Sequence, residues 1–398
     1  MRLVHLSDLH LGFRQFQRTT PGGINQREAD VAKSFSHAIE KVIALRPDIV
    51  LVAGDVFHTV RPTNPAILHA FAQFSRLVRE LPETIVVLAA GNHELPRSSE
   101  SACILRLFSQ MGIHVADNTM RRLQFPERKL SILAIPEIDN QPLDWSPDPA
   151  AEINVLCAHA EVDGLHPDDR GPDEVAALKV PAAVLEGSDW NYIGLGHYHV
   201  YRRVGPNAYY SGATDYTSTS IWNEVATQKA QKLPGKGIIE RDLVTGKQTF
   251  HPLPVAREFV DLTPVEGRGL AAADLDAAIA AAVSRLPGGV DGKVVRLVAR
   301  DVARHVTREL DHKALRELQR RALHFHLDTR RPEVIRSERS GAPGRRPSLA
   351  DTLRESLRSR VLTGDVDRDA LIALGLKYLD DAEQVSAQAG QGAQVEES

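Results

Sequence analysis

Cysteine is scarce in this chain of 398 residues, which contains only Cys103 and Cys157. Two cysteines cannot form the disulfide framework of a small secreted protein, so we expect a protein of a reducing compartment. No secretory signal is expected either, because Arg2 is followed directly by the strand-like "LVHLS" rather than by an apolar segment with a cleavage site. Together these features make the cytoplasm the expected location.

Long apolar runs and a large net charge are also lacking. No stretch approaches the roughly 20 apolar residues that cross a bilayer, so no membrane partner is expected. The net charge is only −4, so a nucleic-acid partner would need a local basic surface. A hydrophobic content of 42% and a charged content of 25% are typical of a globular protein with a substantial core.

Strand-like and helix-like segments alternate over the first part of the chain. The apolar runs "DIVLVAG" and "TIVVLAAG" predict buried strands, and "NPAILHAFAQFSRLVREL" between them predicts an amphipathic helix. Such alternation indicates βαβ units and a largely parallel sheet. Two later segments, "VYRRVGPNAYYSG" and "GIIERDLVTGKQTFHPL", predict hairpins. The combination predicts an α/β fold with two sheets packed face to face and helices outside.

Shifts in composition divide the chain further. A small α+β unit is expected after about Pro254, and residues rich in Arg, Pro, Ser and Gly then predict a linker. The predicted parts are an α/β domain at 1–254, an α+β domain at 255–332, a linker at 333–347, C-terminal helices at 348–385 and a disordered tail at 386–398.

Five predicted strands end in residue types that bind metal ions. In chain order these residues are Asp8 and His10, Asp55 and His58, Asn92 and His93, His159, and His197 with His199. The carboxyl ends of parallel strands meet at one edge of a sheet, so these side chains are expected to lie close together. A glycine (Gly54, Gly91 or Gly196) precedes three of these ends, which indicates a sharp exit from the strand and a close backbone approach.

These residue types indicate a particular chemistry. Asp, His and Asn without cysteine favour Mn²⁺, Mg²⁺, Fe²⁺ or Zn²⁺. Even seven ligands from this set exceed the needs of one ion and suit two ions about 3.5–4 Å apart. Such ions generate hydroxide and offset phosphate charge during phosphoester hydrolysis. The D-x-H motif alone is weak, since it is more often a surface turn, and "GHYH" alone could be a histidine pair satisfied within a hairpin; "GDVFH" and "GNHE" are more specific. All five in order make coincidence the poorer explanation.

The motifs "DLH", "GDVFH", "GNHE", "AHA" and "GHYH", in this order, resemble the calcineurin-like metallophosphoesterase superfamily. Within it, "SDLHLG" and "YYSGA" make residues 1–254 similar to the SbcD-type DNA repair exonucleases. Protein serine/threonine phosphatases carry Asp-Arg-Gly after the second motif, which "GDVFHTV" lacks. The resemblance implies a two-sheet αββα metallophosphoesterase sandwich, followed by a small α+β capping domain and C-terminal helices.

The resemblance also implies roles for the site residues. One ion would be bound by Asp8, His10 and His199, and the other by Asn92, His159 and His197, with Asp55 bridging both. The two divalent ions would be Mn²⁺, with Mg²⁺ or Fe²⁺ as alternatives. His93 would give a proton to the leaving oxygen and His58 would lie near the substrate. The family's third motif commonly ends in Asp, whereas this chain has Glu94, a longer carboxylate expected to orient His93.

The implied partners are DNA and a coiled-coil ATPase of the SbcC type, with a homodimer of this chain inside a heterotetramer. An apolar stripe in the first C-terminal helix suits docking into a groove of that ATPase; its residues are Leu349, Leu353, Leu357 and Val361. The alternative for this stripe is a terminal helix folded onto its own domain.

The sequence therefore favours a metal-dependent DNA exonuclease or endonuclease subunit that acts in DNA double-strand break repair. One alternative is a stand-alone metallophosphodiesterase or phosphatase acting on a small molecule, which would not need the capping domain and C-terminal helices. Another is a non-catalytic scaffold, which would not need an intact ligand set and His93.

Overall fold

The structure is a computed structural model that describes residues 1–95, 102–138, 143–165, 176–187, 189–233, 235–332, 348–359 and 367–392. The chain divides into two compact units, Met1–Pro332 and Glu333–Ser398. Among the described residues, no helix is both long enough and apolar enough to span a membrane.

The strands are short, and in chain order they are β1 Arg2–Leu6, β2 Ile49–Ala53, β3 Ile85–Ala89, β4 His114–Ala116, β5 Arg121–Phe125, β6 Leu130–Ile135, β7 Ile153–His159, β8 Glu161–Val162, β9 Lys179–Val180, β10 Tyr192–Gly196, β11 Arg202–Arg203, β12 Ala208–Tyr210, β13 Gly237–Asp242, β14 Gln248–Pro252, β15 Phe259–Asp261, β16 Val265–Glu266, β17 Val294–Arg300 and β18 His324–Thr329.

The helices are α1 Gln26–Leu45, α2 Asn64–Glu80, α3 Arg106–Ser109, α4 Ala182–Glu186, α5 Ile221–Ala230, α6 Ala272–Ser284, α7 Arg304–Glu309, α8 His312–Arg321, α9 Leu349–Ser359 and α10 Arg368–Gly392, with a 3₁₀ turn at Pro126–Arg128.

The first sheet has the strand order β14-β13-β1-β2-β3-β4. Strands β1 to β4 are parallel, while β13 runs antiparallel to β1 and forms a hairpin with β14. The carboxylate of Asp242 accepts hydrogen bonds from the backbone N–H groups of Val244 and Thr245, which fixes the hairpin turn. The hairpin predicted for this segment is confirmed.

The second sheet has the order β11-β12-β10-β7-β6-β5. Its four central strands are parallel, and both edge strands are antiparallel to their neighbours. The antiparallel pair β11 and β12 is the other predicted hairpin. Leu51 and Val87 of the first sheet share one core with Ile132 and Val155 of the second, so the sheets pack face to face. The predicted two-sheet α/β fold is confirmed.

Helices α1 and α2 cover the outer face of the first sheet. Because side chains alternate along a strand, Val50 and Val52 point away from the second sheet, where they pack with Phe35 of α1 and Phe74 of α2. Helix α1 begins where the Asn25 side chain accepts the first free N–H groups. The outer face of the second sheet is covered by α4 and neighbouring loops. The layers are therefore arranged as αββα.

A third sheet lies in the segment predicted as the α+β capping domain. Strands β15, β16 and β18 are all parallel to β17. Leu275, Leu297 and Phe325 belong to a core of its own. This segment shares the compact unit Met1–Pro332 with the two large sheets, so its separation as a domain at residue 254 stays a prediction.

The second unit contains α9 and α10, which pack on each other. Leu353 and Leu357 of α9 lie against Gly375 of α10, where an added Cβ would come within 3.2 Å of Leu357. Leu349, the first residue of the predicted stripe, is 64% exposed. Val361, its last residue, and the predicted linker 333–347 lie outside the described residues.

Helix α10 is longer than the sequence predicts. It continues to Gly392, beyond residue 385, where the sequence predicts that a disordered tail begins. Alanine and glutamine at residues 387–389 have high helix propensity, which favours continuation of the helix past residue 385.

Candidate metal centre

The predicted ligand residues come together at the carboxyl edge of the two large sheets. Four groups of His, Asp and Glu side chains each have ligand atoms within 4.8 Å of one another. These groups are Asp8, His10 and His199; Asp8, Asp55 and His159; Glu137, His159 and His197; and His10, His58 and His93. Asn92 joins them, since its Oδ1 lies 3.2 Å from Nε2 of His159.

The backbone at this edge is strained. Asp8, His10, Asp55 and His197 all have positive φ angles, of 53°, 46°, 52° and 109°. Non-glycine residues rarely adopt this region, and such strain persists only where the surroundings enforce it. Here the loops after β1 and β2 are tied together, because the Asp8 and His10 N–H groups donate to carbonyls of the second loop.

Two of the strand-end glycines are required by close approach. A Cβ on Gly91 would lie 2.1 Å from Oδ1 of Asp55, and a Cβ on Gly54 would lie 2.1 Å from Nδ1 of His159. Gly91 therefore leaves room for a predicted ligand of the neighbouring strand, and Gly54 for a predicted ligand of the facing sheet.

Asp55 lies between the two predicted ligand groups. Its Oδ2 is 3.6 Å from Nε2 of His10 on one side and 3.4 Å from Nε2 of His159 on the other. Burial alone would raise the pKa of Asp55, but the nearby His159 and His93 imidazoles hold it below its usual value. An ionised carboxylate in this position suits a bridging ligand.

His159 is held in the tautomer that metal ligands use. Its Nδ1 lies 2.9 Å from the Ala53 carbonyl oxygen, to which it can only donate, so Nε2 faces Asn92 and Asp55. Burial would lower the pKa of this imidazole, but Asp55, Asp8 and Glu137 outweigh it and raise the pKa to about 9. The surrounding charge is therefore strongly negative and attracts cations.

His199 is supported by a buried pair that sequence reasoning missed. Nδ1 of His199 lies 3.5 Å from Oε1 of Glu224, and Glu224 pairs with Lys236. The Lys236 ammonium group also donates to the His199 carbonyl oxygen, at 2.8 Å. Burial would raise the pKa of Glu224, but Lys236 lowers it to about 2. A carboxylate behind a histidine ligand fixes the direction of its ring.

His93 and His58 lie side by side at the accessible end of the centre. Nδ1 of His93 donates to the His58 carbonyl oxygen at 2.6 Å, and the two rings stack with centroids 5.1 Å apart. The Nε2 atom of His93 lies 4.0 Å from Oδ2 of Asp55. Burial lowers the pKa of His58 to about 4, so this ring is neutral near pH 7.

Glu94 has different partners from those predicted. Its two carboxylate oxygens accept the backbone N–H groups of Phe57, at 2.6 Å, and Gly91, at 2.9 Å. The His93 ring is oriented by the His58 carbonyl instead, so the expectation that Glu94 orients His93 is wrong. The Glu94 carboxylate thereby ties the loop after β2 to the loop after β3.

Glu137 is a site residue that the sequence reasoning did not select. It follows the parallel strand β6 by two residues, so its position obeys the same strand-end pattern as the predicted ligands. Its N–H donates to the Ala90 carbonyl oxygen, which joins the end of β6 to the end of β3. Oε2 of Glu137 lies 3.6 Å from Nε2 of His159.

A cavity of about 420 Å³ opens over the centre. Its lining includes the predicted residues His10, Asp55, His58, Asn92, His93, His197 and His199, together with Phe13, Arg14, Gln15, Thr217, Ser218 and Thr219. The last six were not predicted, because hydroxyl and guanidinium groups at a rim carry no spacing pattern. Their polarity suits a charged or phosphorylated ligand.

The donor set fits divalent metal ions. Nε2 of His10 and Nε2 of His199 lie 3.0 Å apart, so two imidazole nitrogens face each other. Nε2 of His197 and Oε2 of Glu137 are buried and have no hydrogen-bond partner within the part of the chain that the structure describes. Converging lone pairs and buried oxygens of this kind are satisfied by cations that prefer nitrogen and oxygen ligands.

A sequence profile described as calcineurin-like phosphoesterase matches residues 1–201, just over half of the chain. The chain belongs to the calcineurin-like phosphoesterase family. It is thus a metallophosphoesterase, and the clustered acids and imidazoles are the candidate ligands for its divalent ions. The identity of the ions and the role of each residue stay predictions.

The chain is also similar to proteins called "DNA double-strand break repair protein Mre11". The relative from Methanopyrus kandleri is 26% identical over 223 residues, which cover 50% of this chain and 45% of that protein. The relative from Methanococcus maripaludis is 28% identical over 254 residues, covering 61% and 63%. The chain therefore spans less than two thirds of the length of either relative.

A solved structure of the calcineurin-like phosphoesterase YfkN from Bacillus subtilis is similar at a TM-score of 0.30 and 9% identity, and covers 64% of this chain and 88% of that chain. At such a score the similarity supports no conclusion about function.

Proposed function

We propose that this chain is the nuclease subunit of a DNA double-strand break repair complex. It hydrolyses DNA phosphodiester bonds with two divalent ions, preferably Mn²⁺, and works with a coiled-coil ATPase of the SbcC type. The observation that carries the two-ion part is the position of Asp55, within 3.6 Å of His10 and 3.4 Å of His159. One carboxylate between two groups of ligands is what a shared ion pair needs.

Two sets of side chains would hold the ions. Asp8, His10 and His199 belong to one, Asn92, His159 and His197 to the other, and Asp55 to both. When bound, the ions supply a nucleophilic hydroxide at neutral pH and offset charge on the phosphate oxygens. Glu224 fixes the ring direction of His199, and the Ala53 carbonyl fixes that of His159.

His93 is the proposed general acid. Its Nδ1–H is engaged by the His58 carbonyl oxygen, which leaves Nε2 directed toward Asp55 and the cavity. The protonated ring would deliver its Nε2 proton to the leaving oxygen of the substrate. Its side chain is 31% exposed, so water can return the proton after each turnover.

Three features favour DNA over a small phosphoester. The relatives from Methanopyrus kandleri and Methanococcus maripaludis are named as DNA double-strand break repair proteins. The cavity rim carries Arg14 and three hydroxyl residues, which suit a phosphate backbone. The α+β segment 255–332 adds a further surface near the cavity, because the His324 ring stacks on Phe16, the chain neighbour of the lining residue Gln15. A small substrate requires no such surface.

The proposed assembly contains two copies of this chain and the ATPase. Helix α2 leaves Leu68 and Phe71 exposed, which supports a contact between copies. In the second unit, Leu353 and Leu357 pack within the helix pair, so the more exposed Leu349, Leu374 and Tyr378 are the better candidates for ATPase docking.

The test compares two substrates in the presence of Mn²⁺, a labelled linear DNA and a chromogenic phosphodiester. The unaltered chain is expected to degrade the DNA, and His93→Ala is expected to lose on the order of 10²–10⁴-fold in rate because proton donation is removed. His312→Ala, on exposed α8, serves as the matched histidine control and should retain full activity.

Bound manganese is counted in the same preparations. His93→Ala should still contain both ions, since His93 is not a proposed ligand. Cleavage of the chromogenic ester with intact DNA would contradict the nuclease and favour a small-molecule phosphodiesterase. Loss of both ions from His93→Ala would make His93 a ligand and refute its role as the acid.

A further inference from the structure

Glu137 has one anchored oxygen and one free oxygen. Oε1 accepts the backbone N–H of Ala177 at 2.7 Å, which fixes the carboxylate in place. Oε2 is buried, has no hydrogen-bond partner among the described residues, and lies 3.6 Å from Nε2 of His159. The residue as a whole is only 4% exposed. The free oxygen therefore has no access to water that could satisfy it.

Such an arrangement needs a positive partner. Burying a carboxylate without compensation costs several kcal/mol, so a native protein pairs it or uses it to bind a cation. Among the described residues, no lysine or arginine forms an ion pair with Glu137. Its neighbours are His159 and His197. One ligand atom from each of these three residues lies within 4.8 Å of the other two.

The backbone position of Glu137 also matches that of the predicted ligands. The residue follows β6, which is parallel to β7, the strand that ends in His159. Its N–H donates to Ala90, two residues before Asn92. The end of β6 thus lies next to the ends of β3 and β7, which carry proposed ligands of the second ion.

We propose that Glu137 is a ligand of the second divalent ion, the one assigned to Asn92, His159 and His197. This inference rests on the metal pair of the proposed function. It gives the second ion a carboxylate of its own besides the shared Asp55, whereas the first ion has Asp8. Each ion then has one carboxylate that it does not share with the other ion. The oxygen donors favour Mn²⁺ or Mg²⁺ over softer ions.

The test measures metal binding by the full chain, without reference to activity. The metal-free protein is titrated with Mn²⁺, and bound ions are followed by calorimetry and by electron paramagnetic resonance of free manganese. The unaltered chain should bind two ions. Glu137→Gln, which keeps the size but removes the charge, should bind one ion unchanged and the other at least 10- to 100-fold more weakly.

Glu28→Gln is the matched control. Glu28 is equally buried, but it lies on α1 and accepts hydrogen bonds from Arg14 and Thr63. Its loss affects stability without touching a proposed ligand, so both ions should bind with unaltered affinity. If Glu137→Gln also binds both ions as tightly as the unaltered chain, the inference is overturned. If the unaltered chain binds fewer than two ions, the proposed metal pair itself fails.

A second measurement needs no variant and covers the case in which Glu137→Gln does not fold. The chain is produced with ¹³C-carboxyl glutamate, and infrared difference spectra are recorded on Mn²⁺ addition. The proposed ligand set contains no other glutamate, so Mn²⁺ addition should move one labelled glutamate band to the frequencies of a metal-coordinated carboxylate. Absence of any shift in the labelled band would overturn the inference.

Discussion

The unit Met1–Pro332 contains two kinds of parallel strand ends, and they behave differently. In the first and second sheets, the ends of β1, β2, β3, β7 and β10 carry acids, amides and imidazoles that face one another. In the third sheet, the ends of β15, β16 and β17 also carry charged residues. There, each acid is paired with a cationic side chain from the same region of the chain.

The pairs of the third sheet are explicit. Asp261 accepts two hydrogen bonds from Arg296, at 2.9 and 2.6 Å. Asp301, which has a positive φ like the site residues, is paired with Arg268. Both acids are satisfied inside the chain.

The difference shows what turns a strand edge into a metal centre. Convergence of strand ends is common to both regions, so topology alone is not sufficient. What differs is the burial and the partner of each carboxylate, since Asp261 and Asp301 are only partly buried whereas Asp8 and Asp55 are fully buried. Asp55 and Asp8 are surrounded by imidazoles rather than by guanidinium groups. A guanidinium group is itself the cation that pairs with a carboxylate, whereas an imidazole nitrogen can bind a metal ion next to the carboxylate.

The largest expected effect is that of Asp55→Ala. Removal of the shared carboxylate should release both ions, and hydrolysis should fall by about 10³-fold or more, because the ions supply several kcal/mol of stabilisation. Asp261→Ala is the matched change in the third sheet and should alter stability only. Manganese content and rate are measured on both variants. Retention of both ions by Asp55→Ala would rule out its bridging role.

Gly91→Ala is expected to have the next largest effect. The new Cβ would overlap Oδ1 of Asp55, so the carboxylate must move and Mn²⁺ affinity should fall about 10- to 100-fold. Gly22→Ala, on an exposed loop with an ordinary φ, is the control and should bind Mn²⁺ normally. Calorimetric titration measures both. Equal affinities would show that the close approach at Gly91 is not needed.

The pH dependence of metal binding should be smaller but directional. His159, with a pKa near 9 in the metal-free chain, must lose its proton to bind an ion. Mn²⁺ affinity should therefore rise by up to about tenfold per pH unit between pH 7 and pH 9, and then level off. Titrations at several pH values measure this slope. A flat profile would contradict the charge assigned to His159.

The stability of the metal-free chain should change in the opposite direction. The folded-state pKa of His159 is raised from about 6.5, so its stabilising contribution is complete below pH 6.5 and is lost as the pH rises through 9. Thermal unfolding without metal should therefore occur at lower temperature at pH 9 than at pH 6.5.

The smallest expected effect on the site is that of a chain ending at Pro332. All proposed ligands and the third sheet lie in the unit Met1–Pro332, so metal content and DNA hydrolysis should be unchanged. Association with the ATPase should be lost, because α9 and α10 are removed. Co-purification of the shortened chain with the ATPase would contradict the docking role of these helices.

The sequence predicted the site wherever the signal was local. A glycine followed by Asp, Asn or His at the end of an apolar run marks a strand end, and the parallel order then brings such ends together. Glu137 also follows an apolar run, but Pro136 rather than a glycine precedes it, so this residue lacks the local signal. In the same way, the alternation of strand-like and helix-like segments predicted the two large sheets, and turn residues predicted both hairpins.

Other features have no local signal. Glu224 lies on α5 and Lys236 directly before β13, and only the folded chain places them behind His199. The partners of Glu94 are backbone N–H groups, which every residue except proline possesses, so no sequence pattern could identify them. Packing within the helix pair likewise depends on Gly375, far from the stripe it meets.

The central claim is that two ions lie at the edge of the large sheets on either side of Asp55. Crystals grown with Mn²⁺ and measured at the manganese absorption edge test it most directly. The account predicts two anomalous peaks about 3.5–4 Å apart, one near His10 and His199 and the other near His159 and His197. A single peak, or peaks away from Asp55, would contradict it.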